Sequence, residues 1–413
     1  MVRIQPFFAF RPRPEIAEKI ASVPYDVVNT EEARALADGN PLSFLRVIRP
    51  EIDLPDGTDP YADEVYAAAG RNLRKLLDEG VLIRDVRRCL YLYRQEATLL
   101  GRQVSQSGVV ACCHVGDYDA GLIKKHEKTR QHKEDDRTRH VLALNANAGP
   151  VFLLHRDRPA IKSLIEEAQL EQPLYDFTAS DCVRHTVWRV DRSELLVQAF
   201  AELDHAYVAD GHHRAASAAR AGAARRKGNP LHTGSEEYNW FLTVLFGAEQ
   251  LTILPYHRLV RDLNGLSAES FIARLMQIGT LVPTGRPEVV SSGAFSVFAG
   301  GKWYRVRMAL ESIAKDDPVR SLDYVLLDER VLDPVLGIKD VRSDSRIDFV
   351  GGIRGTAELE RRVSSGEMAA AFAMRPIKVE QLMRVADAGE IMPPKSTWFE
   401  PKLRSGLLIH SLD

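Results

Sequence analysis

Tyr207-Val208-Ala209-Asp210-Gly211-His212-His213-Arg214-Ala215-Ala216-Ser217-Ala218-Ala219 reads as a short apolar strand, a tight corner and an alanine-rich helix. The strand is expected over residues 206–209. The helix is expected over 212–221, with Gly222 stopping it. A helix that starts directly after a strand presents free N–H groups and partial positive charge at its first turn, which suits an anion. Gly211 lets the backbone approach a ligand with no Cβ in the way. Arg214 can fork onto two phosphate oxygens, while His212 and His213 add donors or a proton shuttle near neutral pH. Asp210 would repel a bare phosphate, so it is assigned a Mg²⁺ ion bridging to that phosphate. The plain alternative makes Asp210 a helix cap and the histidines surface residues. Two histidines between Asp and Arg at such a junction favour the chemical reading.

A second stretch stands out upstream, Lys124-Lys-His-Glu-Lys-Thr-Arg-Gln-His-Lys-Glu-Asp-Asp-Arg137, the densest charged run in the chain. Read as one helix over roughly 120–145, it places His126, Arg130, Lys133, Arg137 and His140 at spacings of four and three, a single cationic stripe. Such runs are commonly solvated faces laced with ion pairs. The stripe also suits a polyanion. A zinc-protease pattern is excluded, because the histidine after His126-Glu127 is His132, six residues from the first and not four.

Around these two motifs the chain alternates short strands and helices, which predicts an α+β, mixed α/β architecture. An N-terminal segment, 1–86, contains a helix capped by Thr30 and an amphipathic helix over 61–80. A core, 87–261, carries strands at 89–95, 107–115, 150–155, 183–190, 240–246 and 251–256. A small lobe, 262–340, holds a helix over 267–278, a hairpin about Gly300-Gly301 and a helix over 321–332. A C-terminal segment, 341–413, is expected to return to the core, bringing Lys395 and Lys402 as phosphate ligands.

Composition narrows the function. Lys+Arg is 55 against Asp+Glu 57, so there is no basic excess of the kind a nucleic-acid binder shows. No run approaches the ~20 apolar residues that span a bilayer, and the first residues lack an apolar signal core, so the expectation is a cytoplasmic protein. The spacings of Cys89, Cys112, Cys113 and Cys182 match no zinc pattern and are read as buried, reduced thiols.

Together the motifs His126-Glu127-x-Thr129, Lys133-x-Asp135-Asp136-Arg137 and Asp210-Gly211-His212-His213-Arg214 resemble the domain-of-unknown-function family 1015. Val23-Pro-Tyr-Asp-Val27, Asn40-Pro-Leu-Ser-Phe-Leu-Arg46, Leu254-Pro-Tyr-His-Arg-Leu-Val260, Asp333-Pro-Val-Leu-Gly-Ile338 and Met392-Pro-Pro-Lys-Ser-Thr-Trp-Phe-Glu-Pro-Lys402 agree with it, so the resemblance spans nearly the whole chain. It implies a core similar to the ParB/sulfiredoxin superfamily, with additional α/β lobes. Within that superfamily an Asp-Gly-His-x-Arg signature marks ADP-dependent free serine kinases, which exchange phosphoryl groups between ADP/AMP and serine/phosphoserine. The implied reaction is therefore nucleotide-dependent phosphotransfer to a small hydroxylated metabolite, in either direction, with serine or phosphoserine leading. Gly211, His212, His213, Arg214, His126, Thr129, Arg130, Lys133, Arg137, Lys395 and Lys402 would hold nucleotide and phosphate. Asp210 would hold Mg²⁺, and the base on the hydroxyl would be Asp26 or Glu127. Two other readings stand beside it: a ParB-like nucleotide-binding regulator of DNA or a protein partner, and a metal-dependent phosphomonoester hydrolase. Homo-oligomerisation is left open.

Overall fold

The computed structural model describes residues 1–288, 291–309 and 313–413, and its architecture is mixed α/β, as the sequence predicts. The chain divides into two compact units, Met1–Leu251 together with Pro401–Asp413, and Thr252–Glu400. The four segments drawn from sequence cut the chain more finely. Five positions of the 262–340 lobe (289, 290 and 310–312) lie outside the described residues.

In the first unit the strands are β1 Ile4–Gln5, β2 Ala9–Pro12, β3 Leu82–Arg84, β4 Leu90–Leu99, β5 Arg102–His114, β6 Ile123–Lys124, β7 Ala146–Asn147, β8 Val151–His155, β9 Tyr175–Thr178, β10 Arg184–Val190, β11 Ala206–Asp210 and β12 Trp240–Gly247. Nine of them form one mixed sheet in the order β6-β11-β8-β12-β5-β4-β10-β9, with β1 on β5. The long β4–β5 hairpin turns on Leu100-Gly101, both at positive φ (48° and 79°), the corner whose twist matches its strands. β8 pairs parallel with β12 and antiparallel with β11, and β11 pairs parallel with β6. One core cluster joins Val109, Leu153, Val208 and Leu245 of the sheet to Ala215, Ala218 and Ala219 of the helix His212–Gly228. Small side chains on that helix let it lie close on the sheet at interior packing density. Cys112 and Cys113 alternate across β5, and both are buried, as is Cys89; Cys182 is exposed at φ 63°, against the expectation of four buried thiols.

Several helix bounds differ from expectation for identifiable reasons. The first cap is Asn29, which forms a reciprocal box with Glu32, so the helix Thr30–Ala37 begins at the residue assigned as cap. The charged run is not one helix. After Val115–Asp119, Gly121 turns at φ 73°, β6 follows, and the helix Gln131–Leu144 starts only after the Arg130 cap. Gly222 does not stop the helix His212–Gly228. A Cβ there would stand 2.5 Å from the Tyr238 carbonyl oxygen, so the glycine serves close packing inside the helix.

The second unit contains β13 Thr252–Leu254, β14 Tyr256–Val260, β15 Gly279–Thr284, β16 Ala294–Ala299, β17 Lys302–Met308, β18 Ile347–Gly351, β19 Ala370–Ala373 and β20 Trp398–Glu400. Six make an antiparallel sheet ordered β15-β17-β16-β19-β14-β18, around Leu259, Phe298, Trp303 and Ala371. The hairpin corner is Gly300-Gly301, as expected, and Ser267 caps the helix Ala268–Ile278. The single strand expected over 251–256 is instead two strands separated at Pro255, and they join different sheets. The last strand, β21 Ile409–Ser411, belongs to the first unit and lies between β2 and β7 in a sheet ordered β3-β2-β21-β7. Among the described residues no helix is long and apolar enough to cross a membrane.

Candidate functional site

β11 reaches the site through an irregularity. Against β8, Val208 pairs with Leu153 but Asp210 pairs with Phe152, so two steps on one strand face one on the other. Such a bulge re-aims the residue that follows it. Gly211 then takes φ 91°, and the helix His212–Gly228 starts at once. A Cβ at 211 would lie 2.9 Å from Nε of Arg214, so the absent side chain makes room for the arginine as well as for the turn.

Arg214 is nearly buried and held at both ends. Its Nη2 donates to Asp210 Oδ2 at 2.8 Å and its Nη1 donates to the Pro150 carbonyl, while Nε is buried without a hydrogen-bond partner among the described residues. Lys402 Nζ stands 3.7 Å from the other Asp210 oxygen. Burial alone would raise the Asp210 carboxyl, but Lys402 and then Arg214 outweigh it and hold the carboxyl well below the usual carboxylate range. With two cations already on it, Asp210 is a poor fit for Mg²⁺, which would have to displace or oppose both. Its geometry makes it the residue that orients Arg214.

The cationic stripe divides. Arg130 is exposed at the head of the helix Gln131–Leu144, where its backbone N–H donates to His213 Nε2 at 3.0 Å. Lys133 donates to the Tyr61 hydroxyl at 2.8 Å. Arg137 forks onto buried Asp136 at 2.8 and 3.0 Å, with its guanidinium 4.3 Å from the Tyr25 ring centroid. His140 is buried against the Val47 carbonyl at 2.9 Å, and desolvation lowers its pKa to about 3. His126 is likewise buried and lowered to about 3, so both histidines are neutral and the stripe loses two of its five charges. Thr129 donates to Glu134, which also receives Arg220, and so serves the junction between the two helices.

Arg137, His140, Arg214, Tyr25, Ser217 and Ser405 line one cavity of about 40 Å³. That is room for water and not for a nucleotide. The exposed carboxylate of Asp26 acts electrostatically on Arg214 and His213, and Glu127 acts on His126 and His213, so both candidate bases belong to this neighbourhood. His213 is lowered, first by burial. His212 is lowered to about 4, again chiefly by burial, and its ring meets that of His126 edge-on with centroids 4.5 Å apart. Lys395 belongs to the second unit, where its ammonium lies 5.4 Å from the Tyr256 ring centroid. Sequence reasoning missed the Pro150 carbonyl, Ser405, and Tyr25 as a lining residue. Only Tyr25 lay within a motif already singled out.

The family model described as "Protein of unknown function (DUF1015)" matches residues 4–325. The chain belongs to the DUF1015 family. No curated protein matches this DUF1015 chain. Solved structures resembling it include "Free serine kinase in complex with AMP" (14% identity, 73% of this chain and 91% of that one, TM-score 0.35). Others are "SbnI with C-terminal truncation from Staphylococcus aureus" (11%, 73% and 87%, 0.39) and "Conserved hypothetical protein from Pyrococcus furiosus" (16%, 73% and 94%, 0.34). At such TM-scores these likenesses establish neither the fold nor the activity of the DUF1015 chain.

Proposed function

We propose that this chain is a nucleotide-dependent phosphotransferase acting on a small hydroxylated metabolite, with serine or phosphoserine and the ADP/AMP pair as the leading substrates and the direction left open. The observation that carries this reading is the meeting of Arg214 and Arg137 around one cavity beside the positive end of the helix His212–Gly228. Phosphoryl transfer is largely positioning and charge neutralisation, and guanidiniums held by carboxylates are positioned before a ligand arrives. Asp210 and the Pro150 carbonyl aim Arg214, and Asp136 aims Arg137. The cavity is too small for a nucleoside, so phosphate oxygens alone would reach the two arginines. The hydroxyl proton would pass to Asp26 or Glu127.

The test is steady-state phosphotransfer between ADP and serine, in both directions, with Arg214→Lys as the variant. An ammonium cannot reproduce the fork between Asp210 and a phosphate oxygen. Turnover should fall about a hundredfold, mainly in kcat, the scale of removing one well-placed stabilising donor. Unchanged turnover in the variant removes Arg214 from the chemistry. Phosphate release from phosphomonoesters without nucleotide would favour hydrolysis, and salt-sensitive retention of non-specific DNA would favour the regulator.

A further inference from the structure

His126 leaves β6 on the loop that precedes Arg130, and His212 opens the helix His212–Gly228. Both imidazoles are buried, their rings are nearly perpendicular (88°), and Glu127 is half-buried beside them. One ligand atom from each of the three residues lies within 4.8 Å of the other two. A second observation is independent of that spacing: His212 is 6% exposed, and its Nε2 is buried with no hydrogen-bond partner among the described residues. A buried polar atom left unmatched at such a place points to a missing ligand.

We propose that His126, Glu127 and His212 form a binding site for a divalent transition-metal ion. This goes beyond the phosphotransfer reading and does not depend on it. Two imidazoles and one carboxylate are a borderline donor set, suited to Zn²⁺, Co²⁺ or Mn²⁺ rather than to Mg²⁺, which prefers oxygen. Three protein ligands leave coordination positions open to water or to a substrate oxygen. Metal–ligand bonds of about 2.0–2.2 Å set donors roughly 3.3 Å apart in a tetrahedral shell, so the widest pair has to close by up to about 1.5 Å. Glu127, on an irregular loop, can supply that movement. His126 is oriented by its hydrogen bond to the Val208 backbone, the kind of outer contact that fixes a liganding imidazole. Asp210 adds negative charge nearby, while Lys125 and the helix N-terminus oppose the cation.

The test uses the full chain, stripped with a chelator and titrated with ZnCl₂ alone by calorimetry and with CoCl₂ alone by visible absorption. One ion per chain is expected. Glu127→Gln and His212→Gln should each weaken binding by about a hundredfold, since losing a ligand costs at least as much as losing an outer-shell partner. His132→Gln, at an exposed histidine outside the cluster, should bind as the parent does. Absence of stoichiometric binding overturns the proposal, as does binding unchanged by Glu127→Gln or equally weakened by His132→Gln. If His212→Gln fails to fold, the half-buried Glu127 decides the matter. ADP–serine exchange is scored on the same preparations: metal binding without exchange refutes the phosphotransferase and leaves the metal site standing, and exchange without metal binding does the reverse.

Discussion

Replacing Asp210 by Asn deletes one charge and leaves two cations facing a neutral amide. Arg214 is 10% exposed, Lys402 13% and Asp210 28%. Breaking a fully buried ion pair costs about 3–5 kcal/mol, and an exposed one about 0–1 kcal/mol. With the carboxylate more than a quarter exposed and its partners nearly buried, the loss should be roughly 2–3 kcal/mol at pH 7. For a unit of this size that corresponds to a melting-temperature fall of roughly 4–6 °C. Scanning calorimetry is the assay, and the relevant transition is the one that belongs to the unit containing both partners. A double-mutant cycle with Arg214→Met should return a coupling of about 1–3 kcal/mol. The pH dependence has a definite sign. The Asp210 carboxyl is held below its unfolded value, so its stabilising effect is complete above the ordinary carboxylate range and is lost as pH falls through the depressed folded value. The gap between parent and Asp210→Asn should therefore be flat from pH 7 down to about 5 and narrow only in stronger acid. A pH 7 difference below about 0.5 kcal/mol, or a coupling of zero, would refute the claim that Asp210 orients Arg214.

Gly211→Ala should lose about 1–3 kcal/mol, because its φ of 91° disfavours any Cβ and the new methyl would press on the Arg214 guanidinium; melting temperature and ADP–serine exchange should fall together. Gly222→Ala should cost about 1–3 kcal/mol through overpacking against the Tyr238 carbonyl, identifying the calorimetric transition of the first unit. His126 and His212, lowered to about 3 and about 4, should stay neutral at pH 6 in the metal-free protein, and an NMR titration midpoint near 6.5 for either would contradict their burial. Because the unfolded chain protonates both in the pH range where the folded chain does not, stability should decline from about pH 6.5 towards 4.

How much of this was legible beforehand depends on the distance over which each feature is encoded. The strand–glycine–helix at 206–228 is local, written in apolar runs and a glycine, and it stands where expected apart from the helix end at Gly222. The helix expected over 120–145 failed because charge spacing was read as periodicity. Polar residues satisfy a helical stripe at little cost, whereas Gly121 was the local signal of a break. The neutrality of His126 and His140 could not be read at all, since it comes from burial under distant chain, strong enough to outweigh the hydrogen bonds to the Val208 backbone and the Val47 carbonyl that favour the charged form. Lys395 and Lys402 lie seven positions apart in one motif, yet they fall in different units, because β20 pairs with β13 and the chain then re-enters the first unit. Nothing local marks a partnership across some 150 residues.

The position of β21 also sets a timetable for synthesis. β2 and β7 each depend on β21 as a sheet neighbour, and β21 contains residues 409–411. At roughly 5–20 residues per second, β2 waits on the order of 20–80 s for that neighbour to be made. Throughout that interval an interior position of a sheet is an open strand edge, the kind of surface that recruits other chains. The second unit, encoded entirely before β21, has the time to fold first. Expression of this protein should therefore be more sensitive to chaperone supply and to slow codons between β7 and β21 than its ordinary composition suggests.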